Sequence, residues 1–298
     1  MSKKKPHTSP YYQDYLGLEK ILNNQHLIST EYGKPAHDEM LFIIIHQIYE
    51  LWFKQILFEL DSIIEIFSKE KIQESQIGIA VSRLDRIIEI QKILIDQIQV
   101  LETMTPMDFL DFRDFLIPAS GFQSVQFRLI ENKLGLSKED RYTYSGKEYH
   151  TALKKPDQTK VIESESVHSL FDVVEKWLER TPFLSWGQTS FWNEYEQAVA
   201  TMLADDRKLI KTNKKLSKTE KEKQLMEYDK TEASFGVVLN ETKHTKLVQE
   251  GKWRLSHKAT QAALLILLYR DQPILYNPFH FLTKLVDVDE LFAAWRKR

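Results

Sequence analysis

The chain has 298 residues, with 41 basic and 43 acidic side chains and a formal net charge of -2 at pH 7. This length is sufficient for one large domain with a buried core, and the balanced charge gives no overall attraction to nucleic acid or to an anionic membrane. Because there is no cysteine, the sequence excludes disulfides, thiolate nucleophiles, zinc-thiolate sites and iron-sulfur clusters.

The N-terminus carries basic residues but no apolar stretch follows them, so it does not have the form of a secretory signal. The longest uninterrupted apolar run, Met40 to Ile45, is far shorter than the ~20 residues that cross a bilayer. We therefore expect a cytoplasmic protein that has no membrane partner.

Apolar residues recur at spacings of three and four almost throughout, and only nine glycines and nine prolines interrupt them. This period predicts an all-α protein. The most apolar helix covers residues 38–64, and a titratable imidazole lies in its middle. At 3.6 residues per turn, four ring-bearing side chains fall in one row along this helix: Phe42, His46, Tyr49 and Phe53.

The next helices are marked by their apolar faces and their end signals. A face formed by Leu84, Ile87, Ile90, Leu94, Ile98 and Leu101 predicts a long second helix. Thr105, Pro106 and Asp108 then form an N-terminal signature, with a capping residue, a first-turn proline and a carboxylate near the positive end of the helix dipole. Gly135 is a plausible C-terminal cap for the helix that follows residues 118–121.

Residues 136–166 are polar and mixed, which predicts a long loop, and helical periodicity resumes at residue 167 and stops before Pro182. Between Arg207 and Lys223 there are eight basic and two acidic residues. No aromatic residue is interleaved to stack on bases, which favours a solvated helical hairpin over a nucleic-acid site. Apolar helices after Ser256 finish the chain, so we predict a single helical domain with a charged hairpin inserted at about residues 200–230.

His46 lies on the apolar side of its helix, and two interpretations are open. It is either a core imidazole satisfied by Glu50 or by a backbone carbonyl, or a neutral imidazole whose free nitrogen accepts a hydrogen bond from a ligand. Periodicity does not distinguish between them.

Arg113 raises the same question, because it lies among Phe109, Phe112 and Leu116 on the face that we expect to be buried. A buried guanidinium requires an anionic partner. That partner is either a local acid, Asp111 or Asp114, or a substrate carboxylate that the guanidinium binds with two parallel hydrogen bonds. A pocket with an imidazole, an arginine and phenyl rings would suit an aromatic amino acid.

The sequence resembles the tryptophan 2,3-dioxygenase family nearly from end to end. The resemblance is carried by the segments "HDEMLFIIIHQIYELWFKQILFELDS", "FLDFRDFLIPASGFQSVQFRLIENKLG", "WLERTP", "RLSHKATQAALLILLYRDQP" and "PFHFLTKLVDVDELFAAWR". It implies a helical homotetramer that uses haem iron to insert both atoms of O₂ across the indole C2–C3 bond of L-tryptophan. The product is N-formylkynurenine, in the first step of the kynurenine pathway.

The resemblance also implies roles for individual residues. His46 matches the family's distal histidine, which meets the indole N–H and is the catalytic candidate, and Phe42 matches the ring that packs on the indole. Arg113 matches the arginine that binds the substrate carboxylate. Further substrate-binding candidates are Ile45, Phe109 and two tyrosines of an N-terminal arm (residues 1–36) that reaches a neighbouring subunit, Tyr12 and Tyr15.

The family's iron-ligating histidine would lie beyond Arg298, so no residue of this sequence is expected to be a metal ligand. We expect a shortened form of an ordinary dioxygenase, and its activity depends on the missing ligand. The alternatives are a haem-free relative that binds tryptophan or indole, a helical scaffold without turnover, and a di-iron oxidase. The last is suggested by two E-x-x-H pairs, Glu165 with His168 and Glu241 with His244.

Overall fold

The computed structural model describes residues 9–137, 141, 148–181 and 191–297. Within those ranges it contains α-helices and two short 3-10 helices and no strand, which confirms the all-α class. The α-helices, α1 to α14 in chain order, are Tyr12–Leu16, Leu18–Leu22, Ile28–Glu31, Glu39–Phe67, Glu74–Leu101, Pro106–Leu116, Val125–Leu134, Lys155–Ser164, Leu170–Glu179, Phe191–Thr212, Lys218–Leu239, Glu241–Gln249, His257–Leu268 and Pro273–Arg296. The 3-10 helices are Gly121–Gln123 and Tyr149–Ala152.

The main core lies between the three longest apolar helices. α4 packs against α5, and α14 packs along α5, while α7, α9 and α13 complete the core. The predicted face of α5 is confirmed at Leu84, Ile87, Ile90 and Leu94, all of which are buried. Burial of each such side chain stabilises the fold by roughly 1.5–3 kcal/mol relative to exposure. This core supports the row of rings on α4.

A few polar contacts fix the long helices relative to one another. The buried carboxylate of Glu59 on α4 binds Arg86 of α5 at 2.6 Å, and the side-chain amide of Gln55 donates to it at 2.6 Å. The amide of Gln91 on α5 donates to the Val288 carbonyl of α14 at 3.0 Å. Because a buried polar group is stable only with its partners in place, these contacts define how the helices align.

Both predicted helix ends around α6 and α7 are confirmed. The Thr105 hydroxyl accepts from the Asp108 backbone N–H, and the Asp108 carboxylate accepts from Thr105, which lowers the pKa of Asp108. Gly135 ends α7 in the left-handed region, at a φ of 88°. A Cβ at this glycine would lie 2.7 Å from the Ser169 hydroxyl oxygen, so space as well as conformation requires glycine.

The predicted loop over residues 136–166 is wrong in its second half, where α8 forms. Val161 of α8 is fully buried against Leu129 and Leu153. The error arises because α8 has so few apolar positions that no period is visible in the sequence. The predicted helix end before Pro182 is confirmed, since α9 ends at Glu179. Residues 138–140, 142–147 and 182–190 lie outside the described ranges.

The charged hairpin is formed by α10 and α11, which pack against each other and extend beyond the predicted residues 200–230 on both sides. Arg207 on α10 forms ion pairs with Asp229 and Glu232 of α11. The helices extend beyond the polar stretch because apolar side chains such as Val199 and Leu203 are buried there.

Among the described helices, α4 is long and apolar enough, by length and composition alone, to cross a membrane. This differs from the expectation based on its uninterrupted apolar run, because apolar residues resume after each short polar break along the helix. One such helix is weak evidence for a span, since the core helix of a soluble protein has the same length and composition.

Candidate functional site

The row of rings predicted along α4 is present. The ring centroids of Phe42 and His46 are 4.1 Å apart, those of His46 and Tyr49 are 6.3 Å apart, and those of Tyr49 and Phe53 are 6.4 Å apart. The row continues to Trp295 of α14, whose ring centroid lies 5.6 Å from that of Phe53. His46 is therefore the imidazole in an aromatic wall that crosses from α4 to α14.

The hydrogen bonding of His46 determines which of its nitrogens is available. Its Nδ1 lies 2.7 Å from the Phe42 carbonyl oxygen. Since a carbonyl oxygen can only accept, the neutral ring carries its proton on Nδ1 and presents Nε2 as an acceptor. Of the two structural partners considered for His46, the backbone carbonyl is thus confirmed. Glu50 is instead engaged by the side-chain amide of Gln126, at 2.8 Å.

Aromatic contacts bring α6 to the same wall. The Phe42 ring centroid lies 5.8 Å from that of Phe109 and 5.6 Å from that of Phe112. Phe109 and Phe112 meet edge to face at 5.4 Å. Phe112 is 0% exposed, so it anchors α6 against α4. The sequence pattern places Phe112 on the apolar face but gives it no site role, although its spacing of three from Phe109 is the signal for a shared face.

Arg113 is exposed, which corrects the expectation that it lies on a buried face. The packed stripe of α6 runs through Phe109, Phe112 and Phe115, and Arg113 lies about 100° around the helix from Phe112. Within the described ranges, neither Asp111 nor Asp114 forms an ion pair with it. Arg113 thus lies at the rim of the wall, with its guanidinium able to take an anion from outside.

Ile45 is 2% exposed and belongs to the main core, together with Tyr49 and Phe53 of the wall. Tyr12 and Tyr15 form no ring contact with the wall in the described structure of one chain. Tyr12 and Tyr15 are 73% and 75% exposed on α1. Their contacts with a substrate stay predictions.

Burial keeps Tyr49, the neighbour of His46 in the row, in its neutral form. It raises the pKa of the Tyr49 phenol, whose hydroxyl donates to the Leu94 carbonyl oxygen at 3.4 Å. Tyr49 therefore supports the wall as an uncharged ring.

The di-iron interpretation is wrong for the described part of the chain, which contains no group of three or more histidine, aspartate or glutamate side chains able to hold a metal. His244 is 1% exposed, and its Nε2 donates to the Leu255 carbonyl oxygen at 2.8 Å. The Glu165 carboxylate accepts from the Tyr149 hydroxyl. The two pairs are thus engaged separately rather than around a common site.

Comparison with known proteins identifies the family of the chain. A model of the tryptophan 2,3-dioxygenase family matches residues 2–298. A protein named tryptophan 2,3-dioxygenase from Bdellovibrio bacteriovorus is 54% identical over 97% of this chain and 80% of its own length. Proteins of the same name are similar at 46% identity in Alteromonas mediterranea and 47% in Dictyostelium discoideum, where 97% of this chain matches 80% and 72% of theirs. Because the family model covers nearly the whole chain, the chain belongs to the tryptophan 2,3-dioxygenase family.

Proposed function

We propose that this chain catalyses the O₂-dependent opening of the indole C2–C3 bond of L-tryptophan to give N-formylkynurenine, the first step of the kynurenine pathway. Membership of the family supports the reaction. At the level of residues, the proposal rests on the Nε2 of His46, which is able to accept a hydrogen bond and lies on a wall of rings. α6, the helix of Arg113, helps to form that wall.

His46 and its neighbouring rings would bind the indole. Phe42 and Phe109 provide flat apolar faces on which an aromatic ring packs favourably. The Nε2 of His46 would accept a hydrogen bond from the indole N–H. Because that N–H is far too weak an acid for an imidazole to deprotonate, His46 orients the ring and does not act as a strong base.

Arg113 would bind the other end of the substrate. Its planar guanidinium donates two parallel hydrogen bonds to a carboxylate, a geometry that lysine cannot reproduce. Held by the imidazole at the indole and by the guanidinium at the carboxylate, the amino acid has one orientation against the wall. Fixing the reacting ring in this way lowers the entropy cost of reaction.

The chemistry of the wall fits haem. Phe42, His46 and Phe109 form an uncharged, mostly aromatic surface with one imidazole, which is suited to one face of a porphyrin. Haem is the cofactor that we propose, and these side chains would hold one side of it. When bound, haem supplies the activation of O₂.

Product formation tests the proposed function. The purified chain, loaded with haem and supplied with L-tryptophan and O₂, is expected to release N-formylkynurenine carrying both atoms of ¹⁸O₂, as measured by mass spectrometry. If haem binds and L-tryptophan binds but no product forms, the chain is a tryptophan-binding relative without turnover and the proposal is wrong.

We further propose that the active form is a homotetramer in the cytoplasm, built from one domain over residues 1–298 with residues 1–36 as an arm. The arm's Tyr12, Tyr15 and Leu22 are exposed in the isolated chain, as are Leu51 and Phe58 of α4. Such exposed apolar side chains are typical of surfaces that pack against another subunit.

Deletion of residues 1–20 is expected to weaken L-tryptophan binding by about a hundredfold or more while the helical content of the remainder is kept. Packing of two tyrosine rings is lost, and each buried aromatic side chain contributes roughly 1.5–3 kcal/mol. Equilibrium dialysis with L-tryptophan measures the affinity, and a variant with both Tyr12→Phe and Tyr15→Phe is the control that keeps the rings.

Mixed tetramers show whose pocket the arm serves. When the deletion chain is co-assembled with the Arg113→Ala chain, arms from the latter can complete intact pockets of the former, so part of the binding is expected to return. Affinity unchanged by the deletion, or no recovery in the mixture, would contradict an arm that acts on a neighbouring subunit.

A further inference from the structure

We infer that Tyr32, held by a hydrogen-bonded clasp between Ser29 and Glu39, is a positioning residue that sets the orientation of α6 and hence of Arg113. The inference depends on the proposed role of Arg113 as the carboxylate-binding residue and adds a second layer of residues to it.

The clasp is a closed set of hydrogen bonds at the start of α4. Glu39 is 1% exposed, and its carboxylate accepts from the backbone N–H groups of Ile28 at 2.9 Å and Ser29 at 3.1 Å, and from the Ser29 hydroxyl. The Ser29 oxygen in turn accepts from the Ala36 N–H at 3.0 Å. Because a buried carboxylate is stable only when satisfied, these bonds fix α3 and the loop that follows it, residues 28–36, on the N-terminus of α4.

Tyr32 projects from this clasped loop to α6. Its ring stacks on that of Phe115, with centroids 5.1 Å apart and planes 7° from parallel. The residue is 67% exposed, so it makes a small contribution to the core. Its one ring contact in the described structure is this stack, which connects the clasped loop to the helix of Arg113.

α6 has little other support. It is 11 residues long, a length at which a helix depends on tertiary contacts for its stability. Met107, Leu110 and Ile117 are exposed along it or at its end. Its first attachment is the pair Phe109 and Phe112 in the aromatic wall, and its second is Phe115 on Tyr32.

Arg113 lies between those two attachments, at the position after Phe112 and two before Phe115. With both rings packed, rotation of α6 about its axis is restricted and the guanidinium keeps one position relative to His46. Without the Tyr32 ring, α6 keeps its contacts with the wall at Phe109 and Phe112 but loses the one that follows Arg113, and the guanidinium samples positions that do not match the carboxylate. A charge-assisted pair depends on such geometry, so the loss appears as weaker binding of the carboxylate end.

Tyr32→Ala is expected to weaken L-tryptophan binding by roughly two- to tenfold, the range that an aromatic pair is worth. Binding of tryptamine, which has the same indole and ammonium but no carboxylate, is expected to be unchanged. Tyr32→Phe keeps the stack and is expected to bind both ligands as the parent chain does. Equilibrium dialysis of each ligand with the parent chain and with each variant gives the dissociation constants for these comparisons.

A double-mutant cycle separates positioning from a general effect on stability. In the Arg113→Ala background, Tyr32→Ala is expected to have no further effect on L-tryptophan binding, because the residue that it positions is absent. Ser29→Ala, which loosens the clasp without touching either ring, is expected to show the same preference for losing L-tryptophan over tryptamine.

The outcomes also distinguish an error in the role of Arg113 from an error in the role of Tyr32. If Arg113→Ala leaves L-tryptophan binding unchanged, the proposed carboxylate contact is wrong. If Arg113→Ala weakens binding but Tyr32→Ala and Ser29→Ala do not, or if they weaken tryptamine binding equally, the positioning role is wrong and the proposed function stands.

Discussion

Replacing Arg113 with alanine is expected to weaken L-tryptophan binding by about ten- to hundredfold, the effect of losing a charged hydrogen-bond partner. On binding at the rim of the apolar wall, the substrate carboxylate would lose its hydration without gaining the two guanidinium hydrogen bonds in return. Because Arg113 is exposed and forms no ion pair with Asp111 or Asp114 in the described chain, the substitution leaves no buried charge behind. The stability of the fold should therefore change little, as thermal unfolding would show.

Two comparisons make this result specific to the carboxylate. Arg113→Lys keeps the charge but not the planar fork, so its affinity should lie between those of the parent chain and Arg113→Ala. Tryptamine should bind all three proteins equally. A large loss of tryptamine binding in Arg113→Ala would mean that the substitution disturbs the wall itself, and the assignment of the carboxylate to Arg113 would fail.

The position of Arg113 also explains why its burial was predicted wrongly. A stripe of Phe109, Phe112 and Leu116 at helical spacing suggests a broad buried face, and Arg113 falls inside that stripe in sequence. In three dimensions α6 packs on one side only, through rings that meet Phe42 and Tyr32. The width of a buried face depends on how many neighbours a helix has, and a single sequence does not contain that number.

Features that depend on local chemistry were predictable from the sequence. The Thr105 cap, the left-handed Gly135 and the row from Phe42 to Phe53 each follow from residues within about three turns of one another. Their interactions are set by the geometry of one helix, so the structure reproduces them directly.

Features that depend on pairing between distant segments were not predictable. The stack of Tyr32 on Phe115 joins residues 83 positions apart in the sequence, and no pattern around either residue indicates the other. The same holds for α8, which is stabilised by Val161 against Leu129 and Leu153 rather than by its own periodicity. At the candidate site, the sequence therefore indicated His46 and Arg113, while Phe112 and Tyr32 emerged from the packing.

The tautomer of His46 follows from its place in the sequence pattern together with a hydrogen bond that only the structure reveals. The sequence placed an imidazole on an apolar face and left its partner open. The hydrogen bond that Nδ1 donates to the Phe42 carbonyl oxygen, at 2.7 Å, engages one ring nitrogen and leaves Nε2 as the acceptor. Because Phe42 also belongs to the wall, the residue that we propose to pack on the indole is the one whose carbonyl orients the imidazole.

Replacing His46 with leucine, which has a similar size but no acceptor, is expected to lower kcat/KM for L-tryptophan by roughly five- to hundredfold, because the indole N–H would be buried unpaired. Steady-state formation of N-formylkynurenine measures the change. The rings of Phe42 and Tyr49 should keep the pocket closed to water, so the fold and haem binding are expected to persist.

N1-methyl-L-tryptophan provides the matched control, since it has no indole N–H to donate. If His46 acts as an acceptor, the parent chain discriminates strongly against the methylated compound. His46→Leu loses that discrimination, because the leucine offers neither ligand a hydrogen-bond acceptor. Discrimination that persists at its original size in His46→Leu would show that another group meets the indole nitrogen, and the role assigned to Nε2 would have to be abandoned.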